Sequence, residues 1–85
     1  MKVRVLYFAR LREAIGCDRE DIELPAGVAT VGSLREWLIA RGDPWASAFG
    51  EIRRVRAAVD QSMATDDAPL GEGVEVAFFP PVTGG

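Results

Sequence analysis

Residues 74–79 read VEVAFF. Side chains alternate across an extended segment, so Val74, Val76 and Phe78 share one side, and Glu75, Ala77 and Phe79 share the other. A strand this apolar on both sides belongs in the interior of a sheet. The opening segment KVRVLYF (residues 2–8) reads as a second strand, one candidate to pair with it in the centre of the sheet. Val3, Val5 and Tyr7 fall on one face, and Lys2 and Arg4 on the other. By the same parity Leu6 and Phe8 join Lys2 and Arg4, where apolar residues are unexpected.

The intervening chain supplies the cover. ARLREAIG predicts a short helix over 10–15, with Gly16 as its stop. REDIELPAG predicts a strand over 19–24, closed by Pro25 and Gly27, with Ile22 and Leu24 on one face. In TVGSLREWLIARGDP, Ser33 is the predicted N-cap and Glu36 completes the capping-box spacing. Leu34, Trp37 and Leu38 form the apolar stripe of this main helix, which Gly42 and Pro44 end. WASAFGE predicts a helical turn that adds Trp45 or Phe49 to the core. RVRAAVDQSMA predicts two strands around a turn at Asp60–Gln61, and TDDAPLGEG a loop. The order β, short α, β, α, β, β, β predicts an α+β domain, a mixed sheet with the main helix laid on Val3, Val5, Val76 and Phe78. Periodicity alone also allows other small α+β arrangements.

Composition narrows function by what it withholds. The 85 residues carry a net charge of −3 and include no histidine and one cysteine. The acidic balance offers no broad field for nucleic acid or an anionic membrane. Cys17 lies in acidic CDREDIE, which disfavours a thiolate, and no histidine is present to activate it. No set of imidazole or thiolate ligands is present for a metal. Independent catalysis by these side chains is therefore not expected, and neither is a bound cofactor. One cysteine, no apolar run of about 20 residues and charged Lys2 and Arg4 within the first apolar run predict a cytoplasmic protein without a leader or membrane span.

Chemistry is then sought at the end of the sequence, FFPPVTGG. Residues 1–79 are expected to form the domain, and 80–85 an extended tail. Pro80 and Pro81 fix φ and remove two backbone donors, which ends the ladder and stiffens the exit. Val82 and Thr83 favour extended backbone. Gly84 and Gly85 have no Cβ and fit a passage too narrow for other residues. Residues 80–85 reach at most roughly 20 Å, enough to carry a main-chain carboxylate into another protein. Adenylation by ATP would make that carboxylate an acyl donor, open to attack by sulfide, an amine or a thiol.

GVEVAFFPPVTGG, together with VLYFARLRE and AAVDQ in the same order, resembles the small subunit of molybdopterin synthase over nearly the whole length. The resemblance implies a ubiquitin-like β-grasp fold: a mixed five-stranded sheet, one main helix across one face and short extra helices. It implies that Gly85 is adenylated, with ATP consumed by an adenylating partner related to ubiquitin-activating enzymes, and converted to a thiocarboxylate by a sulfur-mobilising system. The tail, Pro80 to Gly84, would then insert into the large synthase subunit. There the sulfur would pass to a cyclic pyranopterin monophosphate to build the dithiolene. Phe8, Met63 and Phe79 match apolar positions that face the partners, and a heterotetramer with the large subunits at its centre is implied. Asp60 stands where the family often has asparagine, and Val74 where an acidic residue is common. Arg10, Arg12 and Glu13 are expected on a solvated helix face. A carrier for another pathway such as thiamin synthesis, a protein modifier, and an interaction domain whose tail is never activated are the alternative readings.

Overall fold

The computed structural model describes residues 1–81. Five strands form one sheet in the order β2-β1-β5-β3-β4. They are β1 (Lys2–Tyr7), β2 (Arg19–Glu23), β3 (Arg56–Val59), β4 (Ser62–Ala64) and β5 (Glu75–Phe79). The two segments from opposite ends of the chain lie side by side: β1 and β5 pair in parallel, with Arg4 opposite Glu75 and Tyr7 opposite Phe78. All other pairings are antiparallel. This is the mixed β-grasp arrangement, with the doubly apolar strand in its centre.

Three helices cover one face: α1 (Ala9–Ile15), α2 (Val31–Ala40) and α3 (Trp45–Glu51). Val3, Val5, Tyr7, Val76 and Phe78 are almost fully buried beneath them, together with Leu11, Leu34 and Leu38. Burying each such aliphatic side chain contributes roughly 1.5–3 kcal/mol relative to leaving it in water. Phe49 of α3 meets Phe78 edge to face, with ring centroids 5.4 Å apart. Trp37 and Trp45 only flank the core.

The start of α2 differs from the expectation. Its N-cap is Thr30, not Ser33, and Glu36 takes no part. Thr30 Oγ1 accepts the Ser33 N–H at 3.1 Å, and Ser33 Oγ accepts the Thr30 N–H at 3.0 Å. The physical reason is Val31, which is fully buried and gains that position only if the helix begins at it. Gly32, which looks like a helix breaker, permits a close crossing instead. Its N–H donates to the Asp66 carbonyl at 2.8 Å, and a Cβ there would lie 3.1 Å from Asp66.

The turn between β3 and β4 falls where predicted. Asp60 and Gln61 have φ of 47° and 71°, as a two-residue hairpin of the primed type requires. Asp60 also ties this turn to the central strand: its carboxylate accepts the Glu75 N–H at 3.0 Å, and its own N–H donates to the Glu75 carbonyl at 2.9 Å.

Candidate functional site

The uncovered face of the sheet is built by the alternate residues of the same strands. Leu6 pairs with Ala77, Ala77 with Ala58, and Ala58 with Met63. The four make one transverse row over four strands, about 14 Å across at the usual strand spacing. Phe79 lies one pleat further along β5, opposite Arg56, and Phe8 follows the end of β1. Phe8 is 46% exposed and Met63 61% exposed, while Leu6, Ala77 and Phe79 are half-buried. The alanines keep the band low between the larger side chains. A contiguous apolar surface of this kind marks a contact site more often than isolated exposed residues do.

The other half of this face is polar and carries ion pairs. Arg4 Nε lies 3.0 Å from Asp21, and the Met1 ammonium 2.7 Å from Glu23. The Lys2 N–H is shared by both Glu72 oxygens at 3.2 Å. Apolar character is therefore concentrated at one end of the sheet. That is the end where β1 and β5 both terminate and where Pro80 leaves. The Phe8 N–H closes the central ladder on the Phe78 carbonyl at 3.1 Å. Pro80 and Pro81, half-buried, have no N–H with which to extend it.

Phe8, Met63 and Phe79 thus share the face assigned to them, and Pro80 and Pro81 leave from its edge. Val82, Thr83, Gly84 and Gly85 lie outside the described residues. Ala58, Ala77 and Leu6 complete the surface, and none of them is among the residues the sequence points to as a site. The signal was present for Leu6 and Ala77 in the strand parity. For Ala58 it depended on the pairing of β3 with β5. Arg10, Arg12 and Glu13 are exposed on α1.

A second polar cluster lies on the helix-covered side, at the β2 edge of the sheet. Glu20 accepts hydrogen bonds from Tyr7 Oη at 2.7 Å, Trp45 Nε1 at 3.1 Å and Arg41 at 3.0 Å. The Arg41 guanidinium stacks 3.8 Å from the Trp45 ring centroid. Burial opposes ionisation of Glu20, but the Tyr7 and Arg41 hydrogen bonds, with Trp45, outweigh it and lower its carboxyl pKa. Burial, reinforced by Glu20, pushes the Tyr7 hydroxyl far upward. Every partner is engaged, so the cluster pins β1 and β2 to α2 and α3. Burial and the nearby charges of Glu20 and Asp18 likewise raise the Cys17 thiol, which disfavours the thiolate. Among the described residues, no helix is long and apolar enough to cross a membrane.

Comparison with known proteins bears on the whole chain. The ThiS family model matches residues 5–85. The molybdopterin synthase sulfur carrier subunit of Escherichia coli (strain K12) is 47% identical over 83 residues, covering 98% of this chain and 99% of that protein. Among solved structures, SAMP1 from Haloferax volcanii superposes with a TM-score of 0.79 at 22% identity, over 100% of both chains. A chain from the complex of subunits 1 and 2 of the molybdopterin-converting factor of Helicobacter pylori 26695 gives 0.66 at 21% identity, also over 100% of both. These two likenesses support the fold.

Proposed function

The chain belongs to the ThiS family, and from that membership we propose that it is the sulfur-carrying subunit of a molybdopterin synthase, working in the cytoplasm. The carrying observation is geometric: the exposed apolar band runs directly into the root of residues 80–85. A partner gripping Leu6, Phe8, Met63 and Phe79 is thereby placed to receive whatever the tail bears. The full-length likeness to the Escherichia coli carrier supports the same reading.

In this proposal the Gly85 carboxylate attacks the α-phosphate of ATP on an adenylating partner, and pyrophosphate leaves. Sulfide supplied by a sulfur-mobilising system then attacks the acyl carbon, displaces AMP and leaves a thiocarboxylate. Pro80 to Gly84 carry it into the large synthase subunit. There the sulfur attacks a side-chain carbon of a cyclic pyranopterin monophosphate and forms a C–S bond as that carbon's C–O bond breaks and the oxygen departs; water then cleaves the acyl link to restore the carboxylate. Two such deliveries complete the dithiolene, in a heterotetramer centred on the large subunits. This chain supplies delivery and docking. Proton transfer falls to the partners, consistent with its lack of histidine.

The test is intact-mass analysis after co-expression with the cognate adenylating enzyme and sulfur source. The expected result is the oxygen-to-sulfur mass increase on Gly85, discharged when the large subunit and the pterin precursor are added. Deleting Gly85 or introducing Gly84→Trp is expected to abolish discharge and leave the melting temperature unchanged. Normal turnover by either variant would refute the reading. The match to the ThiS family model also favours a carrier for a thiamin-type pathway. That carrier would load in the same way but fail to discharge onto the pterin.

A further inference from the structure

Beside the apolar band, at the same end of the sheet, a groove of about 430 Å³ runs between the start of β3 and the end of β4. Its walls hold Arg35, Arg54 and Arg56 together with Met63, Val55 and Ala64. Three guanidinium groups in one groove are unexpected in a chain of net charge −3. Arg35 is held in place, 3.1 Å from Asp66 and over the Phe78 ring at 5.8 Å. Among the described residues, Asp66 is the one acidic residue lining the groove. Arg54 and Arg56 are exposed and make no ion pair among the described residues. Arg56 stands opposite Phe79, so the unpaired charge is next to the root of the tail and continuous with the band.

Arginine is suited to bidentate recognition of carboxylates, and the apolar residues beside it suit an aliphatic side chain. We propose that this groove docks a short acidic segment, glutamate or aspartate interleaved with aliphatic residues, of a protein that takes the tail. The identity of that protein rests on the sulfur-carrier reading; the chemistry of the groove does not. A nucleic acid is the poorer occupant, because the remaining surface is net acidic and repels a long polyanion.

The probe is a capped synthetic peptide alternating glutamate with leucine, titrated into the 15N-labelled full chain. Amide shifts are expected in residues 54–57 and 63–66. Arg54→Glu/Arg56→Glu should weaken the peptide at least about 10-fold, Arg54→Gln/Arg56→Gln by an intermediate factor. Raising the salt from about 0.05 to 0.5 M should weaken it several-fold, since it shortens the screening length. The Glu double variant should also bind the adenylating enzyme or the large subunit about 10-fold more weakly at low salt. Shifts that map elsewhere, survive charge reversal, or arise more strongly with an oligouridylate overturn the proposal, as does wild-type affinity of the Glu variant for both proteins. If the peptide occupies the groove but the chain never acquires sulfur, the carrier reading falls and the groove stands. If sulfur transfer proceeds and the peptide leaves 54–57 and 63–66 unmoved, the groove alone falls.

Discussion

Phe78 and Phe79 are adjacent in sequence and opposite in fate. Phe78 is fully buried beneath the helices and packed on Phe49. Phe79 is half-buried on the open face beside the root of the tail. The same contrast extends over the sheet, with Val5 against Leu6 and Tyr7 against Phe8. One face holds the fold together, and the other is left open; in the proposed function it is the docking face. Apolarity alone therefore does not distinguish a core residue from a docking residue; the side of the sheet that the helices cover does.

Substitutions at the two phenylalanines test this division most directly. Phe78→Ala should destabilise the chain by about 3–5 kcal/mol, read from chemical denaturation, because it empties the centre of the core. A loss below about 1 kcal/mol would mean that the covered face is not what holds the sheet. Phe79→Asp should cost less than about 1 kcal/mol in folding, as surface changes usually do, and about 2 kcal/mol in affinity for the large subunit, as an interface anchor does. Calorimetric titration showing unchanged affinity would remove the open face from the docking surface.

Glu20 sharpens the comparison from the polar side. Glu20→Gln should cost about 1–2 kcal/mol, since it weakens the hydrogen bonds from Tyr7, Trp45 and Arg41, and should leave sulfur transfer intact. The folded carboxyl is lowered below its ordinary value. Its contribution is therefore complete above the unfolded pKa and is lost as pH falls through the folded one. Acid unfolding monitored by tryptophan fluorescence should be shallower in Glu20→Gln. Tyr7 is shifted upward, so its contribution is present below the unfolded tyrosine pKa and is lost on the alkaline side. An identical acid limb in the wild type and the variant would show that Glu20 is not coupled to folding.

Much of this organisation is legible in the sequence alone. The alternation in KVRVLYF and VEVAFF placed each side chain on one of two faces, since the period of a strand is local and exact at two. The Asp60–Gln61 turn, the Gly42 stop and the burial of Leu34 and Leu38 are local in the same sense. The cap of α2 is not legible locally, because Ser33 satisfies the local motif as well as Thr30 does. Only the need to bury Val31 decides between them.

What the sequence determined by itself was therefore the two-faced character of each strand and the apolar, proline-stiffened composition of 80–85. Tertiary structure alone decided which strands stand side by side. Leu6 meets Ala77 across some seventy residues of chain, and Ala58 meets Met63 across a turn. Their row and the Arg54–Arg56 groove are properties of that adjacency. No local period encodes them, because closing so long a loop is favoured only by the shared core that forms when it closes.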